Sequence, residues 1–272
     1  MGFDEWVVAL EQRHLADLRV QEVTRALRAL SSAYVERRHT HLRSSSFGGP
    51  AGGRSASGAG QAAGRGPLDS AGKRAAFALF YAPLHFLATM HVVTAIEEAI
   101  HPPPTAVIDI GCGTGAAGAA WSVAAGGSPT VTGLDRHPWA IAESRWTYRA
   151  FGLQGIARQA DASRLPRIEP RAAVIAAYVF NELPADVRAR AEAHLFDAAA
   201  RGARILILEP IARAVTPWWN DSAARVVDAG GRADEWRFPI DLPPLLKMLD
   251  KAAGMDHREL TVRSLWLPGG NP

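Results

Sequence analysis

Cysteine is almost missing from this chain: Cys112 is the only one in 272 residues. A lone thiol excludes an internal disulfide and, by itself, a cysteine-ligated metal cluster. Lysine is nearly as scarce, with only Lys73, Lys247 and Lys251, so almost all of the 30 basic residues are arginine. With the accompanying bias toward Ala, Gly and Pro, that points to a GC-rich genome, and the net charge of +3 is no argument for a nucleic-acid partner. No apolar run reaches the roughly 20 residues that span a bilayer. Residues 1–6 are acidic and lack the apolar stretch of a signal peptide. A cytoplasmic chain without a membrane segment is expected.

What is present centres on residues 107–115, Val-Ile-Asp-Ile-Gly-Cys-Gly-Thr-Gly. Residues 107–110 are apolar except Asp109, the pattern of a strand covered on both faces of a parallel sheet. Gly111, Gly113 and Gly115 allow a sharp turn and a close backbone approach to a ligand. The alanine-rich stretch 116–125 then reads as a helix whose free amides face that ligand. Gly111, Gly113 and Ala116 also satisfy the dinucleotide fingerprint. Asp109 argues against it, because an acid two residues before the first glycine repels a pyrophosphate. The same acid suits a ligand with a sulfonium and an amino group, S-adenosylmethionine.

Four more strand-like runs follow, at 130–134, near 158, at 173–180 and at 203–208, each with a polar residue at its carboxyl end. The expected fold is therefore α/β, a Rossmann-like doubly wound sheet with the ligand along one rim. Asp135 and Asp161 end the second and third runs. Either acid is also a reasonable helix or turn cap.

Outside this core, residues 1–43 read as two amphipathic helices, with Trp6, Val7, Leu10, Leu15 and Leu18 and then Val20, Val23, Leu27, Leu30 and Tyr34 at helical spacing. The arginines among them, Arg19, Arg25, Arg28, Arg37, Arg38 and Arg43, form either a solvated face or an RNA contact. Residues 44–66 are a glycine- and serine-rich loop, either a linker or a lid. The main domain spans 67–272. Its lead-in, 67–100, is a nearly all-apolar helix that Pro83 should kink or divide, and Tyr81 and His85, one turn apart, either reach the ligand or pack in the core. Further on, Trp218 and Trp219 either stack on a substrate or pack their own loop. Residues 222–229 and 242–253 read as helices, 236–239 as a short edge strand and 259–267 as a final strand.

The glycine loop with Asp109, Asp135 and Asp161 resembles the class I methyltransferases. The resemblance implies a seven-stranded sheet with an antiparallel last strand. It also implies that Asp135 takes the ribose hydroxyls of S-adenosylmethionine and Asp161 its adenine amine, with Arg136, Ala162 and Tyr178 completing the cofactor site and S-adenosylhomocysteine as product. The tail of the fourth strand, Tyr178-Val-Phe-Asn-Glu-Leu-Pro184, is where that class places acceptor-binding residues, so Asn181 and Glu182 are the candidates to orient or deprotonate an oxygen or nitrogen acceptor. More closely, the pieces Leu134-Asp-Arg-His-Pro-Trp139 and Ala177-Tyr-Val-Phe-Asn-Glu-Leu183 resemble the ribosomal small-subunit-associated methyltransferase-like family, which implies ribosomal RNA or the small subunit as partner. Many of those relatives carry a carboxyl-terminal cysteine cluster for metal; this chain has none, and no metal is expected. An active methyltransferase, a non-catalytic S-adenosylmethionine-binding assembly factor and a nucleotide-dependent oxidoreductase remain the three readings, with the acceptor of the first being ribosomal RNA, a protein or a small molecule.

Overall fold

The structure is a computed structural model that describes residues 1–44 and 68–270. The expected lid or linker, 44–66, falls almost entirely outside the described residues. In chain order the elements begin with α1 (Phe3–His14), α2 (Val20–Ser44), α3 (Ala71–Ala76), α4 (Ala82–Ala95) and α5 (Glu97–Ile100). There follow β1 (Ala106–Ile110), α6 (Ala116–Ala124), β2 (Thr130–Asp135), α7 (Pro138–Ala150), β3 (Gly155–Gln159) and β4 (Ala173–Ala177). The chain continues through α8 (Ala185–Ala200), β5 (Arg204–Glu209), α9 (Trp219–Asp228), β6 (Arg232–Pro239), α10 (Pro244–Ala252) and β7 (Glu259–Leu267).

One seven-stranded sheet runs in the order β3-β2-β1-β4-β5-β7-β6. The first five strands are parallel, and β7 enters antiparallel between β5 and β6. Apolar runs make the central strands: in β4 and β5 all but one residue each are buried, as crossover helices on both faces require. The edge strand β6 carries Arg232, Asp234, Glu235, Arg237 and Pro239, charges and a proline that discourage further pairing. Ile110 is level with Leu134 on one side and Ala176 on the other, so the tips of β1, β2 and β4 end flush. Strand order reverses between β1 and β4, and in open α/β sheets that crevice receives the ligand.

The amino-terminal helices share the main core. Trp6 of α1 is fully buried, with its ring centroid 5.5 Å from Phe86 and 5.3 Å from Phe151. Burying one such ring stabilises the fold by about 4–6 kcal/mol by area. At the far end of α1, Arg13 and His14 both reach the buried carboxylate of Glu143 on α7, at 3.2 and 2.7 Å.

Pro83 does not divide the lead-in helix, one of the two expected outcomes. Phe77–Tyr81 instead form a π-helical segment that joins α3 to α4, and the Ala82 amide donates to the carbonyl of Phe77, five residues back. Proline has no amide hydrogen to continue the ladder, and widening the turn just before it keeps the rod continuous. The resulting 25-residue helix, Ala71–Ala95, is long and apolar enough to cross a membrane by length and composition, which no unbroken run of the sequence suggested. Here 67% of its most apolar window is buried against the rest of the protein, the ordinary position of a core helix.

Candidate functional site

A cavity of about 880 Å³ opens where the tips of β1, β2 and β4 meet under the π segment. Its floor is the glycine loop. Gly111 and Gly113 stand at φ +63° and +52°, in the left-handed region that side chains disfavour. A Cβ on Gly111 would lie 2.4 Å from Val179, so the loop and the tail of β4 touch only because that side chain is missing. Gly115 does not line the cavity. At φ +77°, with Ser144 and Tyr148 only 2.8 Å from where its Cβ would be, it lets α6 pack on α7. The expected ligand contact at Gly115 is thus a packing contact.

Three acids gather along one side of the cavity. Asp109 is buried, and its Oδ2 accepts the Gly118 amide in the first turn of α6 at 2.9 Å. Burial pushes its carboxyl up to about 7, so near neutral pH it is a partly protonated brace beneath the loop rather than the fixed anion expected to face a sulfonium. It also engages an amide that a pyrophosphate would otherwise use. Asp135, at the tip of β2, accepts the Gly113 amide at 3.0 Å through Oδ2 and the His137 amide at 2.8 Å through Oδ1. Each carboxylate oxygen has a second acceptor position, which leaves Asp135 able to take a pair of hydroxyls. Asp161 is exposed beyond β3, where Oδ1 accepts the Ser163 amide at 2.7 Å; hydrogen bonds from the Ser163 hydroxyl first and then this amide hold its carboxyl below the usual range. No helix follows Asp161, so it closes a turn and does not cap. Arg136 and Ala162 line the same side.

Aromatic groups line the same cavity, with Phe77 reaching to 3.2 Å from where a Cβ on Gly113 would stand. The rings of His85 and Tyr178 stack at 4.2 Å, 18° from parallel, while Phe77 and Tyr81 stand 6.0 and 6.3 Å from His85. Burial holds His85 down to about 4, so its ring is neutral at physiological pH, and burial likewise raises the Tyr178 phenol. The Tyr81 hydroxyl lies 3.2 Å from Ser31 of α2, which brings an amino-terminal helix to the cavity rim.

The tail of β4 differs from expectation. The strand ends at Ala177 rather than Phe180, because Tyr178 takes φ +60° while its amide still bonds to Leu208 on β5 at 2.8 Å. That turn swings residues 180–182 into a 3-10 segment and puts both Asn181 and Glu182 on the cavity wall, Glu182 exposed. The amide of Asn181 donates to Glu209 Oε1 at 3.0 Å. Glu209 is fully buried at the tip of β5, and burial raises its carboxyl to about 8. Its Oε2 and the Asn181 Oδ1 are buried polar atoms without a partner among the described residues.

Trp218 and Trp219 do not line the cavity. The Arg188 guanidinium covers Trp218 at 5.1 Å and that of Arg263 covers Trp219 at 4.5 Å, so both indoles pack the connection after β5. Of the two readings in the sequence, loop packing is the one the geometry gives. Cys112 lies in the cavity floor, but burial pushes its thiol well up and leaves it a small apolar residue.

Sequence reasoning also missed the groups that the carboxyl-terminal elements bring to the cavity: Met255, His257, Leu260 and Thr261. His257 is held by Asp250 at the end of α10, whose Oδ1 lies 2.5 Å from Nδ1 and whose Oδ2 accepts the His257 amide at 2.7 Å. The only local signal is a histidine two residues before a strand, which carries no pointer to Asp250.

The comparisons agree with this geometry. Residues 107–202, about a third of the chain, match a family model described as a methyltransferase domain. No curated protein matches the chain. Similar solved structures include magnesium protoporphyrin IX methyltransferase (ChlM) from Synechocystis PCC 6803 with bound SAM, at TM-score 0.44 and 18% identity over 67% of this chain and 79% of that one. Another is the mitomycin 7-O-methyltransferase MmcR, at TM-score 0.48 and 17% identity over 74% of this chain and 57% of that one. Residues 107–202 thus match a methyltransferase domain, and they lie in a Rossmann-like sheet whose β7 enters antiparallel. The matched model is this general domain, not the ribosomal small-subunit-associated family that short pieces of the sequence resemble.

Proposed function

We propose that the protein transfers the methyl group of S-adenosylmethionine to an oxygen or nitrogen of a small, planar, largely apolar acceptor. The observation that carries this is one cavity lined both by acids at strand tips and by the stacked neutral rings of His85 and Tyr178. Its volume of about 880 Å³ is near the upper end of the roughly 300–1,000 Å³ usual for one ligand, which suits a cofactor and a small acceptor side by side. Asp135 and Asp161 accept hydrogen bonds from the ribose and the adenine amine. Their charge disfavours the pyrophosphate of a nicotinamide cofactor, the oxidoreductase alternative.

Displacement at a sulfonium methyl has a good leaving group, so the chain's own residues chiefly align the acceptor and exclude water. The face of His85 and Tyr178 holds a planar ring by stacking. Asn181, with an unpartnered Oδ1, and Glu182 at the rim orient the acceptor's hydrogen-bonding group.

Ribosomal RNA as acceptor, or a non-catalytic ribosome assembly role, would call on arginines of α2 such as Arg25 and Arg28, which are exposed; Arg28 is engaged by the Ala252 carbonyl at 2.7 Å. Labelled methyl from S-adenosylmethionine, offered to a panel of small phenols and amines and in parallel to small ribosomal subunits, tests the assignment. Label on a small acceptor supports it, and label on ribosomal RNA alone overturns the acceptor class.

A further inference from the structure

We infer that His257, oriented by Asp250, is the general base that takes the proton from a hydroxyl acceptor; this rests on the methyltransferase reading above. His257 lines the cavity together with Met255, Leu260 and Thr261, and its ring packs edge-on to Phe80 at 5.9 Å. Phe80 in turn packs on Tyr81, another residue of the cavity lining.

The Asp250 carboxylate fixes the ring. With Nδ1 2.5 Å from Asp250 Oδ1, the hydrogen of neutral His257 sits on Nδ1. Nε2 is then left as a lone-pair acceptor, and it has no partner among the described residues. Asp250 is 7% exposed at its side chain and His257 32% exposed, so the acid is shielded while the imidazole reaches the ligand space. Asp250 also stands in the last turn of α10, where a helix terminus favours a cation over an acid. A carboxylate there is poorly placed as a mere cap but well placed beside an imidazolium.

The step balances. An oxygen lone pair of the acceptor forms the new C–O bond as the C–S bond of the sulfonium breaks, and S-adenosylhomocysteine leaves as a neutral thioether. The acceptor's proton passes to His257 Nε2, giving an imidazolium paired with Asp250, and then to water. In this assignment Glu182, exposed in the cavity lining, positions the acceptor, and His257 removes its proton.

The test uses 4-nitrophenol, whose ionised form has its own visible absorption band, added to the full-length protein saturated with S-adenosylhomocysteine in a buffer more acidic than the free phenol's pKa. The expected result is an ionised band in the wild type that is lost in His257→Ala and in Asp250→Asn, with S-adenosylhomocysteine affinity unchanged in both. The asparagine variant separates catalysis from structure. Its Oδ1 still accepts the His257 amide and its NH2 donates to Nδ1, which preserves the turn but moves the ring hydrogen to Nε2. Should Asp250→Asn fail to fold, His257→Gln serves in its place. No band in the wild type, or an equal band in the variants, overturns the dyad while leaving the methyltransferase reading intact. Failure of the wild type to bind S-adenosylhomocysteine overturns both.

Discussion

Glu209 Oε1 accepts the backbone amide of Asn181 at 3.0 Å, so a buried carboxyl at the tip of β5 holds the 3-10 turn that presents Asn181 and Glu182 to the cavity. Burial raises that carboxyl from 4.5 to about 8. A raised folded value means the neutral form is favoured in the fold. The resulting stability is complete below about pH 4.5 and is lost as pH rises through about 8. Asp109, raised from 3.8 to about 7, acts in the same direction. Each group contributes a slope of up to about 1.4 kcal/mol per pH unit inside its window. His85, held down from 6.5 to about 4 by burial, works the other way at lower pH, so urea midpoints of the wild type should fall most clearly between about pH 6.5 and about pH 8, and Glu209→Gln, which cannot ionise, should show a shallower fall. Equal slopes for the two proteins would refute the buried-acid account of Glu209.

Asp135 is the acid best placed to hold the ribose. Its two oxygens brace the glycine loop and the start of α7 through the Gly113 and His137 amides, and both retain acceptor capacity. Hydrogen bonds to a charged group contribute about 1.5–3 kcal/mol each, so Asp135→Ala should weaken S-adenosylhomocysteine binding by roughly 10- to 100-fold or more. Calorimetry with NADH as control measures it. Unchanged affinity would remove Asp135 from the cofactor site, and a preference for NADH would reverse the choice of cofactor.

How much of this was legible depended on whether the signal was local. An apolar run ending in Gly111, Gly113 and Asp135 predicts strand, loop and acid within 30 residues, and all three line one cavity. The closing strand, expected at 259–267, occupies those residues and enters antiparallel. The end of β4 was not legible, because Tyr178 takes a positive φ that no feature of its type requires. It is held there by its bond to Leu208, a contact made only once the sheet forms. The tryptophans are similar: adjacent indoles suggested a stacking platform, but Arg188 and Arg263, brought in from α8 and β7, already cover them. His257 escaped notice for the same reason, since α10 and β7 reach the cavity only through tertiary packing.

Gly115 illustrates how a motif residue can serve packing. An alanine there would be forced into a left-handed conformation, costing roughly 1–2 kcal/mol, and its methyl would press on Ser144 and Tyr148 from 2.8 Å, adding about 1–3 kcal/mol. Gly115→Ala should thus destabilise the protein by about 2–5 kcal/mol, read as a lower urea midpoint at unchanged slope. A loss below about 1 kcal/mol would mean that α6 and α7 can separate freely, contrary to the close packing argued here.

The two candidate groups for the acceptor's proton give separable kinetics. Glu182 lies at the exposed rim, so replacing its carboxylate with an isosteric amide keeps shape and one acceptor oxygen but removes charge. If Glu182 only orients the acceptor, Glu182→Gln should raise the acceptor KM by about 3- to 10-fold, about 1 kcal/mol of a partly solvated hydrogen bond, and leave S-adenosylmethionine affinity as it was. A general base contributes roughly 10²- to 10⁴-fold, and that loss should appear in kcat for His257→Ala. Steady-state rates with the acceptor found in the labelled-methyl search decide between them. A fall in kcat of that size in Glu182→Gln, with His257→Ala near wild type, would move the proton transfer to the tail of β4 and leave the Asp250–His257 pair as a clamp on the turn before β7.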